Sequence, residues 1–444
     1  MSTAESHPFA VRLTINLEFK RLELVMNNKF HTLVIGGGCL GVACALSVQR
    51  KLGNKPGKVA ILEKKVLGAG LSSRHSAIVR SANASPMAAR MAKLATQYWK
   101  NLQPIWGVEI PFEQSGAIWI AENNDGKAAK TWTAIEQSMQ KESIEFAMIS
   151  HKDVLDLSQQ ALRTVPDEIY YYEPDVLQLD SPQILNAMQT AVKKNHIDVF
   201  EHCQVFDFQH DTQHGITAID TSQGKFFAEH VVNASGGWSS ELFAGMGLAI
   251  PVALQPVYVA NFLVSTNDIP ESLPIIADFV NQAYFRRWRG SILHMHQPRR
   301  RQGKDIASSF SRATMNPDGA NVIYDALSFN VHHQQLEDYV GKVTNRFPKI
   351  GKPVYAGGYH SFFDITPDLK FILGVDNQIG NLYHCLGAGQ ALKYAPIFGE
   401  LIADLILQKA RSDSIDIAEF SISRFMNKAI ADYWRSESLD QNSL

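Results

Sequence analysis

The sequence predicts an α/β protein: a Rossmann-like domain with a parallel sheet, joined to a second domain built mainly on an antiparallel sheet. Three observations predict it. A strand, a glycine-rich turn, a helix and a second strand follow one another between Phe30 and Glu63. Short strand-like runs recur later, at residues 117–121, 257–264 and 291–295. The chain has 444 residues, 45% of them hydrophobic, enough for two bodies with a sizeable core.

Residues 30–35 form a short apolar run, as expected of a strand buried on both faces. Gly36-Gly37-Gly38-Cys39-Leu40-Gly41 follows, a G-x-G-x-x-G with its glycines at 36, 38 and 41. Gly36 permits the tight turn, Gly38 lets the backbone approach a pyrophosphate, and Gly41 lets the helix pack on the strand. Cys39 and Leu40 lead into a helix reaching about Lys51, whose N-terminus offers unpaired N–H groups and a positive dipole end to phosphates. A turn at residues 53–57 leads to the strand Val59-Ala60-Ile61-Leu62 and then to Glu63. A carboxylate at that strand end accepts from ribose hydroxyls and would repel a 2′-phosphate, which argues against NADP. A lone glycine motif is weak, but the full order predicts a dinucleotide site. The unit alone does not separate FAD from NAD.

Lys and Arg number 42 against 44 Asp and Glu, a formal charge of −2, which gives no reason to expect a nucleic-acid partner or an anionic membrane surface. The basic cluster Arg299-Arg300-Arg301 reads as a solvated loop. Cys39, Cys44, Cys203 and Cys385 form no CxxC and match neither a disulfide framework nor a zinc site, so a reducing compartment is expected. The longest uncharged apolar run, about residues 33–48, is too short to span a bilayer. The first 25 residues lack the apolar stretch of a signal peptide. Residues 1–28 read as an N-terminal extension, with Met26 a candidate natural start. The expected location is the cytoplasm, at most peripheral to a membrane.

Three later segments carry a family resemblance. After Glu63-Lys64-Lys65 comes Gly68-Ala69-Gly70-Leu71-Ser72-Ser73-Arg74-His75-Ser76, a glycine-containing loop and a small polar run. Val231-Val232-Asn233-Ala234-Ser235-Gly236-Gly237-Trp238 is a strand ending in N-A-x-G-x-W. Thr366-Pro367-Asp368 precedes Phe371-Ile372-Leu373-Gly374, and Gly387-Ala388-Gly389-Gln390-Ala391-Leu392-Lys393 opens a C-terminal helix. From about residue 29 to 408 the chain resembles FAD-dependent oxidoreductases of the D-amino-acid oxidase and sarcosine oxidase type.

The resemblance implies FAD as the cofactor and assigns residues to it. Lys64 follows the ribose-binding acid, and Ser72, Ser73, Arg74 and His75 pass under the pyrophosphate and flavin. Hydroxyls and a guanidinium suit that place because they donate to phosphate oxygens. Ala234, Gly236 and Trp238 admit the phosphate–ribose portion, and Val205 meets the adenine. Gly387, Gly389, Gln390, Ala391 and Lys393 bring a helix N-terminus to the pyrimidine end of the flavin ring, where its dipole stabilises negative charge. The same order implies a discontinuous FAD-binding domain at residues 29–110, 175–245 and 345–415. Residues 111–174 and 246–344 would then form the substrate domain that roofs it.

Proteins of this type oxidise a C–N or C–O bond beside a carboxylate by hydride delivery to flavin N5, so orientation matters more than acid–base chemistry. A carboxylate clamp calls for Arg, with Lys as a point charge. By resemblance, Arg80 matches the clamping arginine and Lys393 the lysine that assists it. An ordinary ion pair and a solvated helix face are the plain alternatives for the two. Ser361 stands where some sarcosine oxidases carry the cysteine that bonds to FAD, so non-covalent FAD is expected. His294 stands about where some oxidases place a roof lysine that promotes reaction with oxygen. Either His294 is a substitute positive group, or oxygen is not the acceptor. His294 and His296 share one strand face, but no third ligand accompanies them, and no metal is expected. His360 and His384 could also line the pocket, and Tyr258 and Tyr284 could shape the roof or simply fill core.

The expected activity is oxidation of an amino acid or N-methyl amino acid, with oxygen or a quinone or other electron carrier as acceptor. A 2-hydroxy-acid dehydrogenase with a histidine base, and a flavin-carrying subunit of a larger complex, are the alternatives.

Overall fold

In the computed structural model, which describes residues 28–53, 55–123, 126–298, 333–411 and 415–426, the first apolar run forms the strand Lys29–Ile35. It pairs in parallel on both sides, with Val59–Leu62 and with Gly224–Asn233. Its last four residues are buried, which is why the run is apolar on both faces. Asp198–Phe200 extends the sheet beyond Val59–Leu62. Gly215–Thr221 and Val205–Asp211 extend it antiparallel on the other side, and Leu382–Leu386 and Ile372–Val375 complete eight strands.

The helix Cys39–Lys51 packs on this sheet and against the C-terminal helix Ala391–Ile406. A Cβ on Gly399 would stand 2.4 Å from the Ala43 carbonyl oxygen, so the glycine lets the two helix backbones touch. Helix Ala391–Ile406 is buried almost all round and runs through the core of the first body.

The second sheet also has eight strands, in the order Val354–Ile365, Ala253–Leu263, Ile292–Pro298, Ala283–Trp288, Ile275–Asp278, Ala117–Glu122, Glu168–Glu173 and Ala147–Ile149. Every neighbouring pair is antiparallel except Ile275–Asp278 with Ala117–Glu122. Beneath it, Arg346 joins Glu168 and Asp278, each at 2.7 Å, in a buried cluster that ties the helix His333–Arg346 to two strands. Ile78–Val79, Leu177–Gln178 and Glu113–Gln114 form a small third sheet.

The sheet boundary departs from expectation in one place. Residues from 345 on were expected with the nucleotide sheet, yet Val354–Ile365 pairs along its length with Ala253–Leu263 in the roof sheet. The chain changes sheets only at the Thr366 turn, where the Thr366 hydroxyl donates to the Lys370 carbonyl at 2.7 Å. The extension before residue 28 and the Arg299–Arg301 cluster lie outside the described residues. Among the described residues no helix is long and apolar enough to cross a membrane.

Candidate active site

A cavity of about 390 Å³ opens where Lys29–Ile35 and Val59–Leu62 end. Its floor is the glycine turn. Gly36 has φ +107°, and a Cβ there would lie 2.4 Å from the Ala234 carbonyl oxygen; one on Gly41 would lie 1.9 Å from that of Gly36. Both positions therefore accept only glycine. Gly38, by contrast, has only the Ser72 hydroxyl within reach and lines the cavity. At the N-terminus of the helix Cys39–Lys51 the Cys39 N–H donates to the Ser72 hydroxyl at 2.9 Å, and the helix end presents its positive dipole end to the cavity. Glu63 is held by two backbone N–H groups, Gly37 to Oε2 and Lys65 to Oε1, each at 2.8 Å. Each oxygen keeps a lone pair for a further donor. Lys64 lies over the Trp238 ring at 4.2 Å, and burial lowers it to about 8. Leu40, Val205, Ala234 and Gly236 complete the wall.

A second cavity, of about 150 Å³, continues from the first, sharing Cys39, Leu71, Ser72, Asp364 and Ala391. One side is the loop of Arg74 and His75; the other is Gly389, Gln390 and Lys393 at the start of the C-terminal helix. The roof sheet closes it with Val257, Val259, Tyr284, His296 and Phe363. Arg80 projects into it, 9% exposed, with Nη1 donating to the Ala82 carbonyl at 2.6 Å and the guanidinium 4.9 Å from the Trp119 ring. Lys393 is 4% exposed and its Nζ has no hydrogen-bond partner. Burial first, and then Arg80, push this lysine well below its ordinary value, while Glu173 pulls it back.

The family described as FAD dependent oxidoreductase matches residues 31–405. The chain belongs to that family. Among its relatives, glycine oxidase of Geobacillus kaustophilus (strain HTA426) is 25% identical over 91% of this chain and 99% of its own length. The 4-methylaminobutanoate oxidase (formaldehyde-forming) of Paenarthrobacter nicotinovorans is 20% identical over 88% of this chain, which spans 45% of that protein. The solved structure of L-proline dehydrogenase from P. horikoshii superposes with a TM-score of 0.72 at 18% identity, covering 90% of this chain and 98% of the other.

The cavities of this FAD-dependent oxidoreductase fit its cofactor: a turn that side chains would fill, a helix N-terminus at the floor and an anchored acid at the ribose position. Of the residues expected at the site, Gly41 and Ser73 lie behind the wall rather than in it. Ser73 donates to the Gly70 carbonyl and accepts from Arg74, bracing the loop. Gly387 is also recessed. Its N–H and that of Gly389 donate to Asp364, at 3.2 and 3.0 Å. Asp364 faces both cavities and is the residue that ties the roof strand to the closing loop, a link the sequence did not suggest.

The roof histidines differ from expectation. His294 does not line either cavity; it is 3% exposed, and its Nδ1 lies 2.9 Å from the Asn261 side-chain oxygen. Burial, then Arg286, push it well below its ordinary value, so it is neutral and no substitute positive group. His296, two residues on, lines the inner cavity and stacks on Tyr284. Burial, then Arg286 and Arg80, lower it to about 4. His75 accepts the Ala77 N–H at Nδ1, which puts its proton on Nε2, an atom without a partner. His384 is buried between Asp376 and Asn233, away from the cavities. Glu173 was missed altogether: it is fully buried and accepts from the N–H groups of Ser81 and Ala82, beside Arg80. Its only sequence signal is an acid closing the aromatic run Glu168-Ile169-Tyr170-Tyr171-Tyr172-Glu173.

Proposed function

We propose that this flavoprotein oxidises the C–N bond of an amino acid or N-substituted amino acid, with the substrate carboxylate held by Arg80 and Lys393. The observation that carries the reading is Lys393: a buried amine over the Tyr394 ring whose Nζ has no hydrogen-bond partner, in the same small cavity as a buried guanidinium, beside the dinucleotide cavity. A buried charge is tolerated when something pairs with it, and a carboxylate pairs with both groups. The relatives named above act on glycine, 4-methylaminobutanoate and proline, and so support a substrate carrying both nitrogen and carboxylate.

Bound FAD supplies the two-electron acceptor. The chain's own groups bind and orient. Arg80 and Lys393 fix the acid end, and Glu173, through the Ser81 and Ala82 amides, fixes the turn that carries Arg80. The unpartnered Nε2–H of His75 and the unpartnered Nδ1 of His296 give the cavity a hydrogen-bond donor and an acceptor that orient the substrate amine. Val257, Val259 and Phe363 keep water from the reacting carbon. Oxygen, or a quinone or other carrier, is the final acceptor. The four cysteines are free and buried, which favours a reducing compartment such as the cytoplasm. The test is an anaerobic panel of amino acids and their decarboxylated amines, read by loss of flavin absorbance.

A further inference from the structure

His294 and His296 share a strand without a third ligand, but another pair of histidines has one. Among the described residues, His31, Glu229 and His230 come together, with one ligand atom from each within 4.8 Å of the other two. The His31 and His230 rings stand 5.0 Å apart between centroids, tilted by 50°. His31 belongs to the strand Lys29–Ile35. Glu229 and His230 belong to its parallel neighbour Gly224–Asn233, where His230 pairs with Thr32.

Strict alternation would not bring these groups together. Phe30 and Leu33 pack in one core although their spacing would put them on opposite faces of a regular strand. The cause lies between them: the N–H groups of His31 and Thr32 both donate to the Lys58 carbonyl, at 3.0 and 3.1 Å. Two donors on one acceptor mark a local bulge, and a bulge re-aims side chains. The neighbouring strand makes the same shift, since Ala228 and Val231 also pack in that core. Each ring is supported from behind as well. Nδ1 of His31 lies 2.8 Å from the Thr32 hydroxyl, and Nδ1 of His230 lies 3.4 Å from the Tyr383 hydroxyl. A hydroxyl that accepts from Nδ1–H fixes the tautomer that leaves Nε2 its lone pair, the usual support of a metal-binding histidine.

We propose that His31, His230 and Glu229 bind a zinc-class divalent cation that pins the start of the first strand to its neighbour. Two imidazoles and one carboxylate suit zinc and the late first-row metals, and exclude the all-oxygen preference of magnesium and calcium. Ligand atoms around zinc, with bonds of about 2.0–2.1 Å, stand about 3.3 Å apart. Side-chain rotation closes the group to that spacing, because Glu229 is exposed and both imidazoles are only half-buried. Water on the open side completes four-coordination. His31 precedes Ile35 by four residues, about 13 Å of strand. The site therefore stands at the opposite end of the sheet from the glycine turn, and its role is to hold the fold rather than to oxidise substrate.

The test uses untagged holoenzyme, stripped with EDTA, desalted and titrated calorimetrically with zinc chloride. Wild type is expected to take up one equivalent per chain, undisturbed by excess magnesium chloride, and to gain Tm on doing so. Copper(II) in place of zinc should give an electron paramagnetic resonance spectrum with nitrogen couplings from two imidazoles. His31→Gln and His230→Gln should each weaken zinc binding at least about 100-fold, and Thr32→Val, which removes only the hydroxyl behind His31, about 10-fold. All three variants should keep their flavin, and zinc should no longer raise the Tm of the two histidine variants. If wild type takes up no zinc, or its copper spectrum shows no nitrogen ligand, the two rings are a packing contact and the site is overturned; neither outcome needs a variant to fold. Displacement by magnesium, or zinc binding at unchanged affinity in both histidine variants, would place the ion elsewhere and overturn the site too.

Discussion

Lys393 buries an ammonium group with no acceptor beside it. Because its folded value lies below the ordinary 10.5, the fold favours the neutral form. The penalty for the charge is therefore complete below the lowered value and fades as pH rises toward 10.5. Lys393→Met should raise Tm at neutral pH, with the gain shrinking on the alkaline side. Substrate binding runs the other way: a carboxylate needs the charged lysine, so wild-type KM should climb as pH passes through the lowered value, and Lys393→Met should flatten that rise. Arg80→Met should raise KM about 10- to 100-fold, since a charge-assisted hydrogen bond contributes about 1.5–3 kcal/mol, and should leave FAD bound. Kinetics across pH on the three proteins check both statements. The hydroxy-acid alternative is disfavoured at this scale. It needs a base for the hydroxyl proton, and His75 and His296, both lowered to about 4, are poor bases at neutral pH.

Among the elements, the Glu168–Arg346–Asp278 cluster makes the sharpest stability prediction. Arg346→Ala would leave two carboxylates buried without their cation, a change worth about 3–5 kcal/mol, measurable by denaturant unfolding of the holoenzyme. No local pattern announces this cluster, because its three members come from distant strands and a helix. The strand–turn–helix–strand unit was legible for the opposite reason: the φ of Gly36, the Gly41–Gly36 approach and the two amides that hold Glu63 all lie within one short stretch of chain. The roof was legible only as strands. Alternation predicted that His294 and His296 share a face, but which of them reaches the cavity depends on the register with Ala283–Trp288, which no single strand encodes. Likewise Val354–Ile365 reads as a strand, while its choice of sheet is made by the 253–263 partner.

At the scale of the whole molecule, the chain spans nearly all of one relative's length and less than half of another's. Activity alone and activity within a larger assembly are therefore separate questions, and gel filtration of the natively expressed protein answers the second. Ser361, buried in the roof strand, cannot form a thioether. Acid precipitation should accordingly leave a colourless pellet and a yellow supernatant, and a flavin band on a denaturing gel would contradict it.

The central claim joins a flavin to a carboxylate-bearing amine, and anaerobic titration of the holoenzyme addresses both halves at once. Amino acids, N-methyl amino acids, their decarboxylated amines and the matching hydroxy acids are added in turn while flavin absorbance is followed. The predicted result is bleaching by at least one amino or N-methyl amino acid, weakened in Arg80→Met, and none by the corresponding amine. Equal bleaching by the amine, or bleaching by hydroxy acids alone, would contradict the account.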